Sequence, residues 1–86
     1  MAEIEIYTTA WCPYCAAAKA LLAKKGVPFR EIDAPSGSAA RAAAITRSGG
    51  RTTVPQVFVD GKPLGGYDDL AALDRAGRLD ALLGVG

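Results

Sequence analysis

An α/β fold, with one small mixed four-stranded sheet and helices on both faces, is the architecture this sequence predicts. Three observations lead to it. Short strand-like segments alternate with longer helical ones, in the order βαβαββα. A helical segment separates the first two strands, which must then run parallel as a right-handed βαβ unit. Asp60-Gly61 follows the third strand-like segment, and that pair is a strong hairpin signal, which makes the fourth strand antiparallel.

Each element has its own reason. Ile4, Ile6 and Thr8 alternate with Glu3, Glu5 and Tyr7, a strand over residues 3–8. Pro13 stands where a first helical residue tolerates proline, because its missing N–H would be unpaired there anyway. Residues 13–25 form a helix with Ala18, Leu21 and Leu22 inward and Lys19, Lys24 and Lys25 outward; Gly26 and Pro28 stop it. Phe29 to Asp33 is the second strand. A serine of Pro35-Ser36-Gly37-Ser38 caps a second, Ala-rich helix over 39–48, which Gly49-Gly50 ends. Val57-Phe58-Val59 is the third strand, and Pro63-Leu64-Gly65 a short edge strand, where proline is tolerated. Asp68 or Asp69 is expected to cap a third helix built on Leu70 and Leu73. Gly77 interrupts it, and Leu79, Leu82 and Leu83 add a last turn or two.

Composition limits the function. The chain has 86 residues, the size of one domain, expected over 1–86. Half its residues are apolar and 22% are charged, so it has the means to build a core. Ten basic residues against nine acidic ones leave a net charge of +1, which is no footprint for nucleic acid or an anionic lipid surface. No apolar run approaches the ~18 residues of a membrane span. Met1-Ala2-Glu3-Ile4-Glu5 has acids where a signal peptide needs bases, so a cytoplasmic address is expected. The absence of histidine removes Cys/His dyads and His-containing zinc sites. No metal site is expected.

Cys12-Pro13-Tyr14-Cys15 carries the chemistry. Two cysteines three apart at a helix start face one side. With Cys12 as the capping residue, the pair can close to disulfide distance. The two positions are unequal. Cys12 meets the helix N–H groups and the positive end of the helix dipole, which favours the attacking thiolate. Cys15 lies one turn inside and less exposed. Cys12 is therefore read as the nucleophile and Cys15 as the resolving thiol. The bland alternatives are half a zinc site, for which the chain lacks the usual further ligands, and two inert core cysteines. Thr52-Thr53-Val54-Pro55 by itself reads as a turn with a trans proline, and Gly65-Gly66-Tyr67-Asp68-Asp69 as a loop and a helix cap.

Taken together, Cys12-Pro13-Tyr14-Cys15, Thr53-Val54-Pro55 and Gly65-Gly66-Tyr67-Asp68-Asp69-Leu70 resemble the glutaredoxin family, within the thioredoxin fold. The first motif is similar to the site of class I dithiol members. Arg51-Thr52-Thr53-Val54-Pro55-Gln56 and the leucine-rich end look most like the small bacterial glutaredoxin-3-type members. The resemblance implies a glutathione-dependent thiol–disulfide oxidoreductase. It implies no tightly bound cofactor, glutathione as co-substrate, and disulfide-containing or glutathionylated proteins as partners, ribonucleotide reductase among the candidates. A monomer is expected. The resemblance also implies a cis Val54-Pro55 bond beside Cys12 and a glutathione site. The Val54 main chain would pair with its cysteinyl part, Gly66, Tyr67 and Asp68 would hold its γ-glutamyl end, and Thr53 belongs to the same binding set. Tyr14 would line the groove, and Arg41 would meet the glycine carboxylate.

The chain departs from the family at Thr9, where many members carry lysine three residues before the first cysteine. Trp11 directly before Cys12 is more reminiscent of thioredoxins. These two residues support the alternative of a redoxin reduced by thioredoxin reductase and serving ribonucleotide reductase. A third alternative is a binding module, a dimer holding an iron–sulfur cluster through Cys12 and glutathione. The proline after Cys12 disfavours it by family analogy.

Overall fold

The computed structural model describes residues 2–85. Met1 and Gly86, the ends of the domain expected over 1–86, lie outside the described residues. The elements are β1 (Ile4–Thr8), α1 (Pro13–Lys24), β2 (Arg30–Asp33), α2 (Ala39–Arg47), β3 (Gln56–Val59), β4 (Lys62–Gly65), α3 (Tyr67–Arg75) and α4 (Leu79–Leu83). The sheet runs β2-β1-β3-β4. β1 and β2 are parallel, with Glu5 opposite Arg30 and Thr8 opposite Asp33. The β1–β3 and β3–β4 pairs are antiparallel. The mixed four-stranded sheet is thus as expected, including the edge position of Pro63.

The hairpin turns on Asp60 (φ 51°) and Gly61 (φ 81°), two left-handed residues in a row. That is the backbone whose twist matches paired strands. The sheet is covered on both faces. Ile4, Ile6, Val57 and Val59 pack with Ala18 and Leu22 of α1, Leu70 of α3, and Leu79 and Leu83 of α4. On the other face Tyr7 and Phe58 pack with Ala34 and Ala44 under α2. All four residues of β3 are buried because it is covered twice. Tyr7 is buried for the same reason, and its ring meets Phe58 edge-on at 5.5 Å. Arg47 of α2 lies 4.3 Å over the Phe58 ring. It also donates to the Tyr7 hydroxyl and to Glu5 Oε1, both at 2.8 Å.

Two expectations, the cap of α3 and an outward Lys25, are corrected, while the break at Gly77 is as expected. The capping residue of α3 is Gly66, neither Asp68 nor Asp69. Asp69 sits at the third helical position, and its Oδ2 reaches back to accept from Gly66 N–H at 2.9 Å, half of a capping box. Beyond α3 the chain forms a separate short helix. Gly77 at φ 73° lets its own N–H reach Asp74 O at 3.0 Å and Arg78 N–H reach Leu73 O at 2.9 Å. These two bonds end the helix outright. Lys25 does not point outward. Its Nζ bridges Asp74 at 2.6 Å and Asp80 at 2.8 Å, tying the end of α1 to both C-terminal helices.

Candidate active site

The turn after β1 presents the cysteines. Trp11 adopts φ 59°, a left-handed conformation, and is 99% exposed. The chain then enters α1 with Cys12 as the cap in extended conformation and Pro13 in the first helical turn. Cys12 Sγ accepts the Cys15 N–H at 3.1 Å, and Cys12 O accepts the Ala16 N–H at 3.0 Å. A side-chain atom that takes a first-turn N–H satisfies one of the orphan donors of the helix start. Here that atom is sulfur.

The two thiols are free and unequal. Cys12 is half-buried, whereas Cys15 is fully buried. Burial first, then a side-chain hydrogen bond with Cys12, push the Cys15 thiol up to about 11. The Thr9 main chain and the charge of Lys19 pull it the other way. Cys15 is thereby held as a thiol, while the Cys12 sulfur remains accessible.

The first turn of α1 separates two recesses. The smaller, about 140 Å³, lies between Tyr14, the Val54-Pro55 segment and the start of α3. The structure brings together here Tyr14, Val54, Pro55, Gly66, Tyr67 and Asp68 from the expected glutathione set. The Val54-Pro55 bond is cis, as the resemblance implied and local reasoning did not. The rings of Tyr14 and Tyr67 stand 6.3 Å apart across the recess mouth. Gly66 comes close to the main chain, since a Cβ there would lie 3.3 Å from Pro55 O.

Two expected residues do not line this recess. Thr53 lies just upstream, and its carbonyl accepts from the buried Gln56 Nε2 at 3.0 Å. Arg41 sits in the first turn of α2, where its Nε donates to Ala34 O at 2.9 Å and its Nη1 to Thr52 O at 3.1 Å. It braces the segment leading into Thr53.

Sequence reasoning missed Arg51 and Asp69, which complete the lining. Arg51 Nη1 donates to Asp69 Oδ2 at 2.9 Å. The Gly66 N–H and then the Arg51 guanidinium hold the Asp69 carboxyl below its ordinary range. The available signals were the acid three residues after a cap and, for Arg51, its place at the head of the Arg51-Thr52-Thr53-Val54-Pro55-Gln56 segment.

The larger recess, about 740 Å³, is lined by both cysteines, Trp11, Lys19, Glu31 and Asp33 among others. Glu31 Oε2 accepts from Thr8 Oγ1 at 2.7 Å and Lys19 Nζ at 2.9 Å, and these two donors, in that order, lower its carboxyl. The i, i+4 relation of Cys15 and Lys19 was a readable signal for this side of the site. Glu31 gave none.

Comparison with known proteins agrees with this geometry. The glutaredoxin family model matches residues 4–64. Glutaredoxin 3 of Escherichia coli K12 is 57% identical over 83 residues, covering 96% of this chain and 99% of that protein. The solution structure of glutaredoxin from Brucella melitensis is 53% identical, with a TM-score of 0.83, over 96% of this chain and 89% of that one. A buckwheat glutaredoxin–glutathione complex has a TM-score of 0.85 at 30% identity, over 96% of this chain and 77% of that one. A cysteine pair at a helix start, on this fold and at these identities, leaves one conclusion: the chain belongs to the glutaredoxin family of glutathione-dependent disulfide oxidoreductases, with Cys12 and Cys15 as its dithiol.

Proposed function

We propose that this chain reduces both glutathione mixed disulfides and protein disulfides through Cys12-Pro13-Tyr14-Cys15. In the one-thiol route, Cys12 attacks the glutathione sulfur of a glutathionylated protein and releases the protein thiol; a second glutathione then frees Cys12. In the two-thiol route, Cys12 attacks a protein disulfide and Cys15 displaces the substrate sulfur from the mixed disulfide. The observation that carries this reading is the unequal pair itself: an accessible sulfur capping α1 and a buried thiol one turn behind it.

The smaller recess is the proposed glutathione site. Val54 would offer its main chain to the cysteinyl part, beside Thr53. The start of α3 would offer N–H donors to the γ-glutamyl carboxylate, and Asp68 would take the ammonium. Tyr14 and Tyr67 would form the walls. Arg41 uses two of its five donors on main-chain carbonyls and has others for the glycine carboxylate. In this reading the chain is a single domain acting as a monomer in a reducing cytoplasm. Disulfide-bearing or glutathionylated proteins would be its partners, ribonucleotide reductase among them. No helix among the described residues is long and apolar enough to cross a membrane.

Trp11, fully exposed beside the nucleophile, favours a second reading, reduction by thioredoxin reductase. One experiment separates the two. Turnover of a small glutathione mixed disulfide with glutathione as sole reductant is expected. Turnover with thioredoxin reductase alone would reverse the assignment.

A further inference from the structure

We propose that Lys19 is a positioning residue of the resolving step: Glu31 holds its ammonium over the larger recess, where the positive charge stabilises the Cys15 thiolate as it closes on Cys12. This rests on the assignment of Cys15 as the resolving thiol made above.

The geometry is specific. Cys15 and Lys19 are one helical turn apart on α1 and line the same recess as Cys12. The Lys19 ammonium is not a free surface charge. Glu31 Oε2 fixes it at 2.9 Å and is itself fixed by the Thr8 hydroxyl at 2.7 Å. The β1 and β2 strands therefore set where a charge from α1 stands. The titratable groups facing the recess are Cys12 and Lys19 of α1 and Glu31 and Asp33 of β2; β1 contributes only the neutral Thr8. Lys19 is thus the one cation among the described lining residues. It acts on the buried thiol in the direction opposite to burial and to Cys12.

The step it serves balances as follows. Cys12 Sγ is bonded to the substrate sulfur. Cys15 gives its proton to solvent, and its thiolate forms a bond to Cys12 Sγ. The bond from Cys12 to the substrate sulfur breaks, and its electron pair leaves on that sulfur, which takes a proton. The substrate is reduced and the Cys12–Cys15 pair oxidised. Once Cys12 is bonded to substrate, burial still raises the Cys15 thiol, so a cation held beside it bears directly on this rate.

The test measures reduction of a protein disulfide against pH in the wild type, Lys19→Gln and Lys19→Arg, with thermal melts of each. Lys19 is partly exposed, so the expected effect is about two- to fivefold slower reduction at neutral pH in Lys19→Gln. The rise of rate with pH should move to higher pH, and Lys19→Arg should restore both. In a Cys15→Ser background, where no resolving step remains, Lys19→Gln should not slow deglutathionylation further. An unmoved pH profile, a shift that arginine fails to restore, or equal slowing in the Cys15→Ser background overturns the proposal. Retention of protein-disulfide reduction by Cys15→Ser alone would instead overturn the resolving role on which it rests.

Discussion

At the start of α1 the capping atom is the Cys12 sulfur, which takes the Cys15 N–H at 3.1 Å. At the start of α3 the capping residue is Gly66, which has no side chain, and Asp69 reaches back from inside the helix to the Gly66 N–H. Both termini border the smaller recess, through Tyr14 and Gly66. Each supplies partial positive charge from its N–H groups. In α1 that charge is directed at an atom of the protein, the one that reacts. In α3 the Asp69 carboxylate takes the Gly66 N–H, and under the proposed function the remaining N–H groups of the helix start meet a carboxylate brought from outside. The difference teaches that one physical device, a helix N-terminus, can be capped by a reactive sulfur or by glycine; under the proposed function the first serves chemistry and the second recognition.

Four predictions can break or sharpen that comparison. The largest effect belongs to α1. Cys12→Ser is expected to lose all exchange activity. Cys15→Ser should keep deglutathionylation and lose protein-disulfide reduction, and the reverse pattern in a two-substrate assay would undo the division of roles.

Next comes the backbone entering α3. Gly65 has φ 110°, and a Cβ there would lie 2.6 Å from Arg51 Nη1 and closer still to the Asp69 carboxylate. Gly65→Ala should cost about 1–3 kcal/mol in chemical denaturation, since strained backbone and a displaced cap act together.

The third sets two neighbouring acids against each other. Asp68 is exposed and lines the recess, whereas Asp69 holds the cap. Asp68→Ala should raise the glutathione KM about fivefold, a wet charge-assisted bond being worth ~1 kcal/mol. Its thermal melt should barely move. Asp69→Ala should cost about 1 kcal/mol of stability through the lost cap. A folded Asp68→Ala protein with unchanged glutathione kinetics would remove the γ-glutamyl site and strengthen the thioredoxin-reductase reading.

The smallest effects are in pH. The Cys15 thiol is raised, so its contribution to stability in the reduced protein is fully present below 9.0 and is lost as pH rises through about 11. The Asp69 carboxyl is lowered, so its contribution is present above 3.8 and is lost as pH falls through the folded-state value. Denaturation midpoints across both limbs should show the alkaline loss shrink in Cys15→Ala and the acid loss shrink in Asp69→Asn.

Much of the architecture was legible because it rests on local chemistry. Pro13, Gly26 and the Asp60-Gly61 turn act through their own backbone, and Ser38 through its Oγ, which accepts the Arg41 N–H three residues on; each marks the boundary it was expected to mark. The dithiol was legible for the same reason, since its asymmetry follows from position within one helical turn. What escaped depends on distant partners. Lys25 looks like an exposed helix end until Asp74 and Asp80 arrive from the other end of the chain. Arg51 heads a motif segment, but its pairing depends on Asp69, eighteen residues away. The α3 cap was misplaced because an acid is the better cap by preference, whereas at Gly66 a Cβ would press to 3.3 Å from Pro55 O. Motif resemblance supplied the cis Val54-Pro55 bond, which no local rule favours.

The exposed Trp11 has a practical consequence. It is the sole tryptophan, it directly precedes Cys12, and its indole is 99% open to solvent. Emission excited selectively at the indole therefore comes from one ring, covalently next to the atom that changes oxidation state. Its intensity should differ between the dithiol, the Cys12–Cys15 disulfide and a mixed disulfide, because sulfur species quench unequally at short range. Its wavelength should shift toward the blue when a protein substrate covers the ring. The molecule thus carries its own optical probe of catalysis, and stopped-flow fluorescence of the unlabelled protein can follow each exchange step as it happens.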